Sequence, residues 1–260
     1  MSFEPRHLTL EIFSILYGVS ISTRQKLIID KNLYLTKFSK GTKKDNIVVL
    51  APGGATWNNK NHLIHGCDLL GYLNNIDIVY VIGYDQCINF CNVDIVKNIS
   101  KCVKTVKQLH NKSKIHLVGK SLGGYAVTYY LAHSYNDADA YYIFCSNLVI
   151  KDFYEGINEM KWLKNYMNLC LNSYDQKQYN LWKPNKVLKY NEQLNILERL
   201  SKMDCNQKVT IIYGDCDKVS KNIEQYCKKL KFKAIKVING HHCCYHTIEA
   251  LAFALKCNQL

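Results

Sequence analysis

Residues 114–125, KIHLVGKSLGGY, constrain the fold of this chain more than any other stretch. Ile115, His116, Leu117 and Val118 form a short, mainly apolar run that reads as a buried strand. The run passes straight into Gly119-Lys120-Ser121. From Leu122 to His133 the pattern is helical, with Tyr125, Thr128, Tyr129 and Ala132 spaced along it. Two chemistries share these letters. Gly-Lys-Ser closes a phosphate-binding loop, and Gly-x-Ser-x-Gly is the tight turn that presents a nucleophilic serine. The phosphate loop needs a glycine five residues before the Gly of Gly-Lys-Ser, so that backbone N–H groups can wrap the phosphates. That position is Lys114, and a strand fills the space where the loop would be. A serine turn needs a strand, a sharp reversal and a helix, with small residues where the chain folds back. Gly119 and Gly123 supply them, and Gly124 permits still closer packing.

The rest of the chain repeats the alternation. Residues 33–38 alternate like an edge strand. Residues 47–50 are a short apolar run ahead of Pro52-Gly53-Gly54, a buried strand feeding a tight loop. Further strands are expected at 76–82, 140–145, 209–213 and 234–238. Helices are expected at 62–73, 93–109, 223–230 and 247–255, with a weaker helical segment at 6–17. In the helix over 93–109, Ile95, Ile99, Cys102, Val106 and Leu109 fall near one face. Strands alternating with helices predict an α/β fold, a mostly parallel central sheet with helices on both faces. A length of 260 residues suits a single domain spanning the whole chain. Residues 150–200 break the rhythm. They are rich in Tyr, Trp, Asn, Leu and Lys without a strand pattern, and read as a helical cap inserted within that domain.

The formal net charge is +13. A chain this basic invites nucleic acid or an acidic membrane. Its lysines are scattered (Lys40, Lys43 and Lys44; Lys101, Lys104 and Lys107; Lys228, Lys229, Lys231 and Lys233), and no nucleic-acid motif frames them. They read as solvated faces, so nucleic acid is not expected as a partner, while the charge leaves a membrane surface open. The 12 cysteines raise the question of redox setting. Glu4, Arg6 and Glu11 interrupt the apolar N-terminus, and the run after Glu11 is too short for a membrane span. Without an export signal, free thiols in the cytoplasm are expected. Cys102, Cys145 and Cys227 fall inside apolar patterns and read as small core residues. Nothing in the sequence sets an oligomeric state.

Three more stretches accompany the serine turn: VVLAPGG at 48–54, IIYGDCDKV at 211–219 and VINGHHCCYH at 237–246. With Gly119-x-Ser121-x-Gly123, and in this chain order, they resemble the α/β-hydrolase superfamily from about residue 33 to the C-terminus. The resemblance implies Ser121 as nucleophile. It implies an oxyanion hole from the backbone N–H groups of Gly54 and Leu122. In the superfamily the first of these loops commonly reads His-Gly-x; here Pro52 replaces the histidine, and Gly53 and Gly54 hold the next two places. Asp217 holds the place of the triad acid, and Asp215 reads as a loop cap or a backbone acceptor. The base belongs on the loop after the last strand. His242 closes a Gly-x-His turn and fits best, His241 is the alternative, and His246 looks like the start of the final helix. Lys120 is expected at the rim of the turn.

These residue types suit acyl chemistry. A serine hydroxyl is a weak nucleophile, and neutral imidazole takes its proton near pH 7 and returns it to the leaving group. An aspartate holds the imidazole tautomer. The expectation is a serine hydrolase cleaving a carboxylic ester, thioester or amide of a small-molecule acyl substrate through an acyl-serine, with no cofactor. Phe153, Tyr154, Trp162 and Tyr166 of the cap are candidates to line its pocket. Two alternatives stand: a catalytically inactive hydrolase fold used for binding or scaffolding, or an acyltransferase. The cluster His241, His242, Cys243, Cys244 and His246 also has zinc-ligand chemistry. It lacks a second ligand pair at finger-like spacing, the nearest being Cys87 and Cys91, so no metal is expected.

Overall fold

The computed structural model describes residues 25–40, 45–53, 69–70, 76–84, 93–161, 164–165, 195–204, 208–243 and 245–257. Eight strands form one sheet: β1 (Gln25–Asp30), β2 (Leu33–Ser39), β3 (Asn46–Ala51), β4 (Ile78–Tyr84), β5 (Lys114–Lys120), β6 (Ala140–Phe144), β7 (Val209–Gly214) and β8 (Lys233–Val237). Their order is β1-β2-β4-β3-β5-β6-β7-β8. β2 runs antiparallel to β1 and to β4; every pairing from β4 to β8 is parallel. The helices are α1 (Val93–Leu109), α2 (Leu122–Ala132), α3 (Ile150–Glu159), α4 (Ile196–Ser201), α5 (Ile223–Leu230) and α6 (Tyr245–Cys257). The expected mostly parallel sheet with flanking helices is what the chain forms.

The side-chain period of two sorts each central strand between two cores. Along β3, Ile47, Val49 and Ala51 face a core that includes Ile95 and Ile99 of α1, Tyr125 and Tyr129 of α2, and Cys227 of α5. Val48 and Leu50 face the other, with Leu69, Leu70 and Ile248, Leu251 and Leu255 of α6. Burial on both faces explains why β3, β5, β6 and β7 read as apolar runs rather than alternating ones. α2 is buried along its whole length, so it shows no polar stripe. α1 is amphipathic as expected. Its solvent face carries Lys101, Lys104 and Lys107, paired with Asp30, Asp137 and Asp139. Such exposed pairs add little stability. Cys102, Cys145 and Cys227 are buried.

β1 corrects the reading of β2 as an edge strand. The chain turns at Lys31-Asn32, and β1 covers that flank. β1 escapes sequence reading because it is half-buried at best: Leu27 and Ile29 touch the core while Lys26 and Ile28 are exposed. The expected helix over 62–73 is described only at Leu69 and Leu70, which are helical; the segment at 6–17 lies outside the described residues. Within 150–200 the described residues are largely helical, in α3 and in α4, with no strand among them. α3 packs against the turn that follows β7, and a Cβ on Gly156 would come 2.2 Å from Lys218 O. No helix among the described residues is long and apolar enough to cross a membrane.

Candidate active site

β5 reverses into α2 through Ser121, whose backbone is held at φ 50°, ψ −119°. A non-glycine residue at positive φ is uncommon and costs energy, so surrounding contacts must hold it there. Ser121 N–H donates to Phe144 O at 2.9 Å, and Ser121 O accepts from the N–H of Gly124 at 2.9 Å and of Tyr125 at 3.2 Å. The reversal needs glycine on both sides. A Cβ on Gly119 would come 2.6 Å from Gly124 Cα, and one on Gly123 would come 2.2 Å from Ala51 O. The Gly-x-Ser-x-Gly spacing is thus a packing requirement between β5, α2 and the end of β3.

Ser121 is 8 % exposed, and its hydroxyl lies 3.0 Å from His242 Nε2. His242 Nδ1 lies 3.0 Å from Asp217 Oδ2. An ionised carboxylate only accepts, so Asp217 fixes the tautomer with the proton on Nδ1; Nε2 is left to accept from the serine hydroxyl. Both carboxylate oxygens of Asp217 are occupied. Oδ1 accepts from Val219 N–H at 2.9 Å, which makes Asp217 the N-cap of a single 3₁₀ turn, Lys218–Ser220. Oδ2 also accepts from the Ser220 hydroxyl at 3.0 Å. Asp217 is therefore both a turn cap and the acid partner of the imidazole.

Two loops meet to make this possible. The acid follows β7 and the histidine follows β8, the neighbouring parallel strand, so both leave the same edge of the sheet as Ser121. Cys216 N–H donates to Gly240 O at 3.0 Å, and Asp215 N–H to Val237 O at 3.1 Å, tying the two loops together. Asn147, just beyond β6, is fully buried and donates from Nδ2 to Val219 O at 2.9 Å and Lys221 O at 2.7 Å. Asp152 of α3 accepts from Asn222 Nδ2 at 2.9 Å and the Tyr226 hydroxyl at 2.6 Å. Burial and then the Asp152 carboxylate push the Tyr226 phenol up to about 12. The acid turn is thus clamped from below by Asn147 and from the side by α3.

The other sequence candidates fall around this trio. His241 is exposed beside it. His246 lies on α6, exposed, with Nδ1 3.2 Å from Glu249 Oε2. Asp215 is exposed. Leu122 is the first residue of α2, where a backbone N–H has no partner within the helix and the helix dipole is positive. A Cβ on Gly53 would come 3.2 Å from Ser121 Cβ, so the loop after β3 abuts the serine; Gly54 itself lies outside the described residues. Lys120, expected at the rim, is instead 8 % exposed, because it is the last residue of a strand covered on both faces. Phe153 is 1 % exposed and packs in the core edge-on to Tyr154, which is half-buried against the same core. Trp162 and Tyr166 lie outside the described residues. Both ring nitrogens of His242 are engaged by Ser121 and Asp217, and among the described residues no group of three His, Cys, Asp or Glu is placed to hold a metal ion. Sequence reasoning missed Ser220 and Asn147. Their only signal is a small polar residue next to a motif, which any turn would show.

No protein-family model and no curated protein matches the sequence. Solved structures do. A carboxyl esterase from the mycorrhizal fungus Tuber melanosporum aligns at TM-score 0.65 and 11% identity, over 91% of this chain and 86% of that one. An esterase from Pyrococcus furiosus aligns at TM-score 0.63 and 14% identity, over 95% and 91%. An esterase from Pyrobaculum calidifontis aligns at TM-score 0.62 and 13% identity, over 96% and 89%. A likeness of this extent at this identity is a likeness of fold. With the strand order above, the chain has the α/β-hydrolase fold.

Proposed function

We propose that this protein is a serine hydrolase that cleaves a carboxylic ester, thioester or amide through an acyl-serine. The observation that carries the reading is the continuous contact from Ser121 Oγ to His242 Nε2 and from His242 Nδ1 to Asp217 Oδ2, each at 3.0 Å. In the proposed reaction His242 takes the Ser121 proton as the oxygen attacks the acyl carbon. Asp217 holds the ring and stabilises the imidazolium. The carbonyl oxygen becomes negative beside the start of α2, where the Leu122 N–H, with that of Gly54, donates to it. One such donor is typically worth about 10²–10³ in rate. His242 then protonates the leaving group, and water activated by the same imidazole releases the acid. No step requires a group beyond these side chains, the two backbone N–H groups and water.

Esters are the first substrate class to try, since the structural neighbours named above are esterases. In this reading the segment 150–200 shapes the acyl pocket, with Trp162, Tyr166 and Tyr154 as its aromatic candidates. The test has two arms. A fluorophosphonate probe labels only an activated serine, so the wild type should label and Ser121→Ala should not. p-Nitrophenyl esters of rising chain length should then report the preferred acyl group. Equal labelling of Ser121→Ala would remove Ser121 as nucleophile, and no labelling of the wild type would favour a binding role for the fold.

A further inference from the structure

The stretch from Phe144 to Asn147, at the end of β6, touches both halves of the site. At one end Phe144 O accepts the Ser121 N–H at 2.9 Å. Ser146 packs on the helix behind the serine: a Cβ on Gly124 would come 2.6 Å from Ser146 Cβ. Ser146 O lies 3.4 Å from the Ser220 hydroxyl, on the acid turn. At the other end stands Asn147, with no exposed surface. Its Oδ1 accepts the Val149 N–H at 3.0 Å, where α3 begins. That contact fixes which way the amide faces, so both N–H bonds of Nδ2 meet carbonyls, Val219 O at 2.9 Å and Lys221 O at 2.7 Å. These two carbonyls flank Ser220. The Ser220 hydroxyl and the Val219 N–H are the groups that grip Asp217 Oδ2 and Oδ1. Capping the turn requires only the Val219 N–H on the carboxylate. It does not explain a buried amide brought to the turn from 72 residues away in the chain.

We propose that Asn147 is the positioning residue for Asp217, keeping the carboxylate in place for His242 by holding the backbone on both sides of Ser220. The inference rests on the proposed hydrolase reading and deepens it. The acid turn is a single 3₁₀ turn of three residues, Lys218–Ser220, too short to be stiff by itself. The pull on it rises when the imidazole becomes charged, because Asp217 is then drawn toward a cation. Asn147 resists that pull from the end of β6, the same stretch that anchors the Ser121 N–H through Phe144 O. The serine and the acid are thereby referred to one rigid strand end.

Asn147 is sealed from solvent and acts through other residues, so substrate binding does not depend on it. Losing its amide frees the turn, and the 3.0 Å contact between Asp217 Oδ2 and His242 Nδ1 lengthens. A displacement of about 1 Å in a catalytic constellation can cost about 10²-fold in rate. The loss also leaves two buried carbonyls unpaired, which lowers stability. A drop in Tm therefore fits any structural role, whereas coupling to Asp217 belongs to positioning alone.

Steady-state kinetics on one p-nitrophenyl ester compare Asn147→Ala in two backgrounds of the full-length protein. In the wild type it should lower kcat by about 10²-fold and leave KM within about twofold. In Asp217→Asn, where no carboxylate remains to be placed, it should change kcat by less than about threefold. A residue that only supports the fold would cost the same in both, so equal losses overturn the proposal, as does a loss confined to KM. If Asn147→Ala fails to fold, Asn147→Ser, which keeps one donor, decides by the same comparison. A wild type that neither hydrolyses esters nor labels with a fluorophosphonate ends the hydrolase reading, and positioning is then read from His242 itself. An imidazole N–H held by a carboxylate gives a far-downfield proton resonance. That resonance should be present in the wild type and lost in Asn147→Ala; its survival there, or its absence from the wild type, overturns the positioning.

Discussion

The Ser220 hydroxyl donates to Asp217 Oδ2 at 3.0 Å, the same oxygen that His242 Nδ1 faces. One carboxylate oxygen thus serves two donors. The Ser220 hydroxyl stops the carboxylate from rotating away. Ser220→Ala should therefore lower kcat by roughly the value of one charge-assisted hydrogen bond, about tenfold, with little change in KM. Ser220→Thr, which keeps the hydroxyl, should restore kcat. An unchanged kcat in Ser220→Ala would show that the hydroxyl does not hold the carboxylate for His242.

The trio itself sets the steepest contrasts. His242→Ala should lose about 10³–10⁴ in kcat/KM, and Asp217→Asn about 10⁴ through the wrong tautomer. His241→Ala, His246→Ala and Asp215→Asn should each stay within a few-fold of wild type, because these side chains are exposed and outside the chain of contacts. Matched steady-state kinetics on one ester would decide. A His241→Ala loss comparable with that of His242→Ala would show that the histidine loop rearranges in solution.

How much of this was legible follows from range. The turn at Ser121 was readable because its requirements are local: an apolar run, glycines two residues either side, and a helix after it. Asp217 and His242 were readable as places on loops, and the preference for His242 over His241 agrees with which ring meets Ser121. β1 was not readable, since a strand covered on one side only partly shows neither alternation nor a buried run. Lys120 was misplaced because a lysine beside a catalytic turn reads as solvent-facing, whereas its strand is buried on both faces. Asn147 and Asp152 act through contacts made across long stretches of chain, and no spacing announces those; Ser220 meets Asp217 from three residues away, but a serine in a turn looks the same whether or not it bonds a carboxylate.

α3 offers a test of the clamp on the acid turn. In an exposed helix interior, Gly→Ala stabilises by about 1 kcal/mol. At Gly156 the added carbon would meet Lys218 O at 2.2 Å, a backbone atom that cannot move aside without moving the turn that carries Asp217. Gly156→Ala should therefore lower thermal stability and lower kcat, the reverse of the helix-propensity expectation. A variant with raised Tm and full activity would show that α3 does not seat on this turn.

His116 makes stability depend on pH at a distance from the chemistry. It is 2 % exposed in β5, with Nε2 3.1 Å from Asn46 Oδ1, its ring tilted against Tyr142, and a buried Nδ1 without a partner. That arrangement suits the neutral ring with its proton on Nε2, and charging it would bury an unpaired cation. Burial accordingly pushes its pKa down to about 4. In the unfolded chain an ordinary histidine titrates near 6.5. Above that value neither state binds the proton, and stability is independent of it. As pH falls from 6.5 toward 4, the unfolded chain takes up a proton that the native chain refuses, so stability drops. Between pH 7 and pH 5 the loss from this one group is about 2 kcal/mol. Urea unfolding at the two pH values, on wild type and on His116→Gln, isolates it. The variant has no proton to take up there and should lose about 2 kcal/mol less than wild type over the same interval. Equal losses would mean that the folded protein accepts the proton on His116, through a water or a shift of Asn46 that satisfies Nδ1.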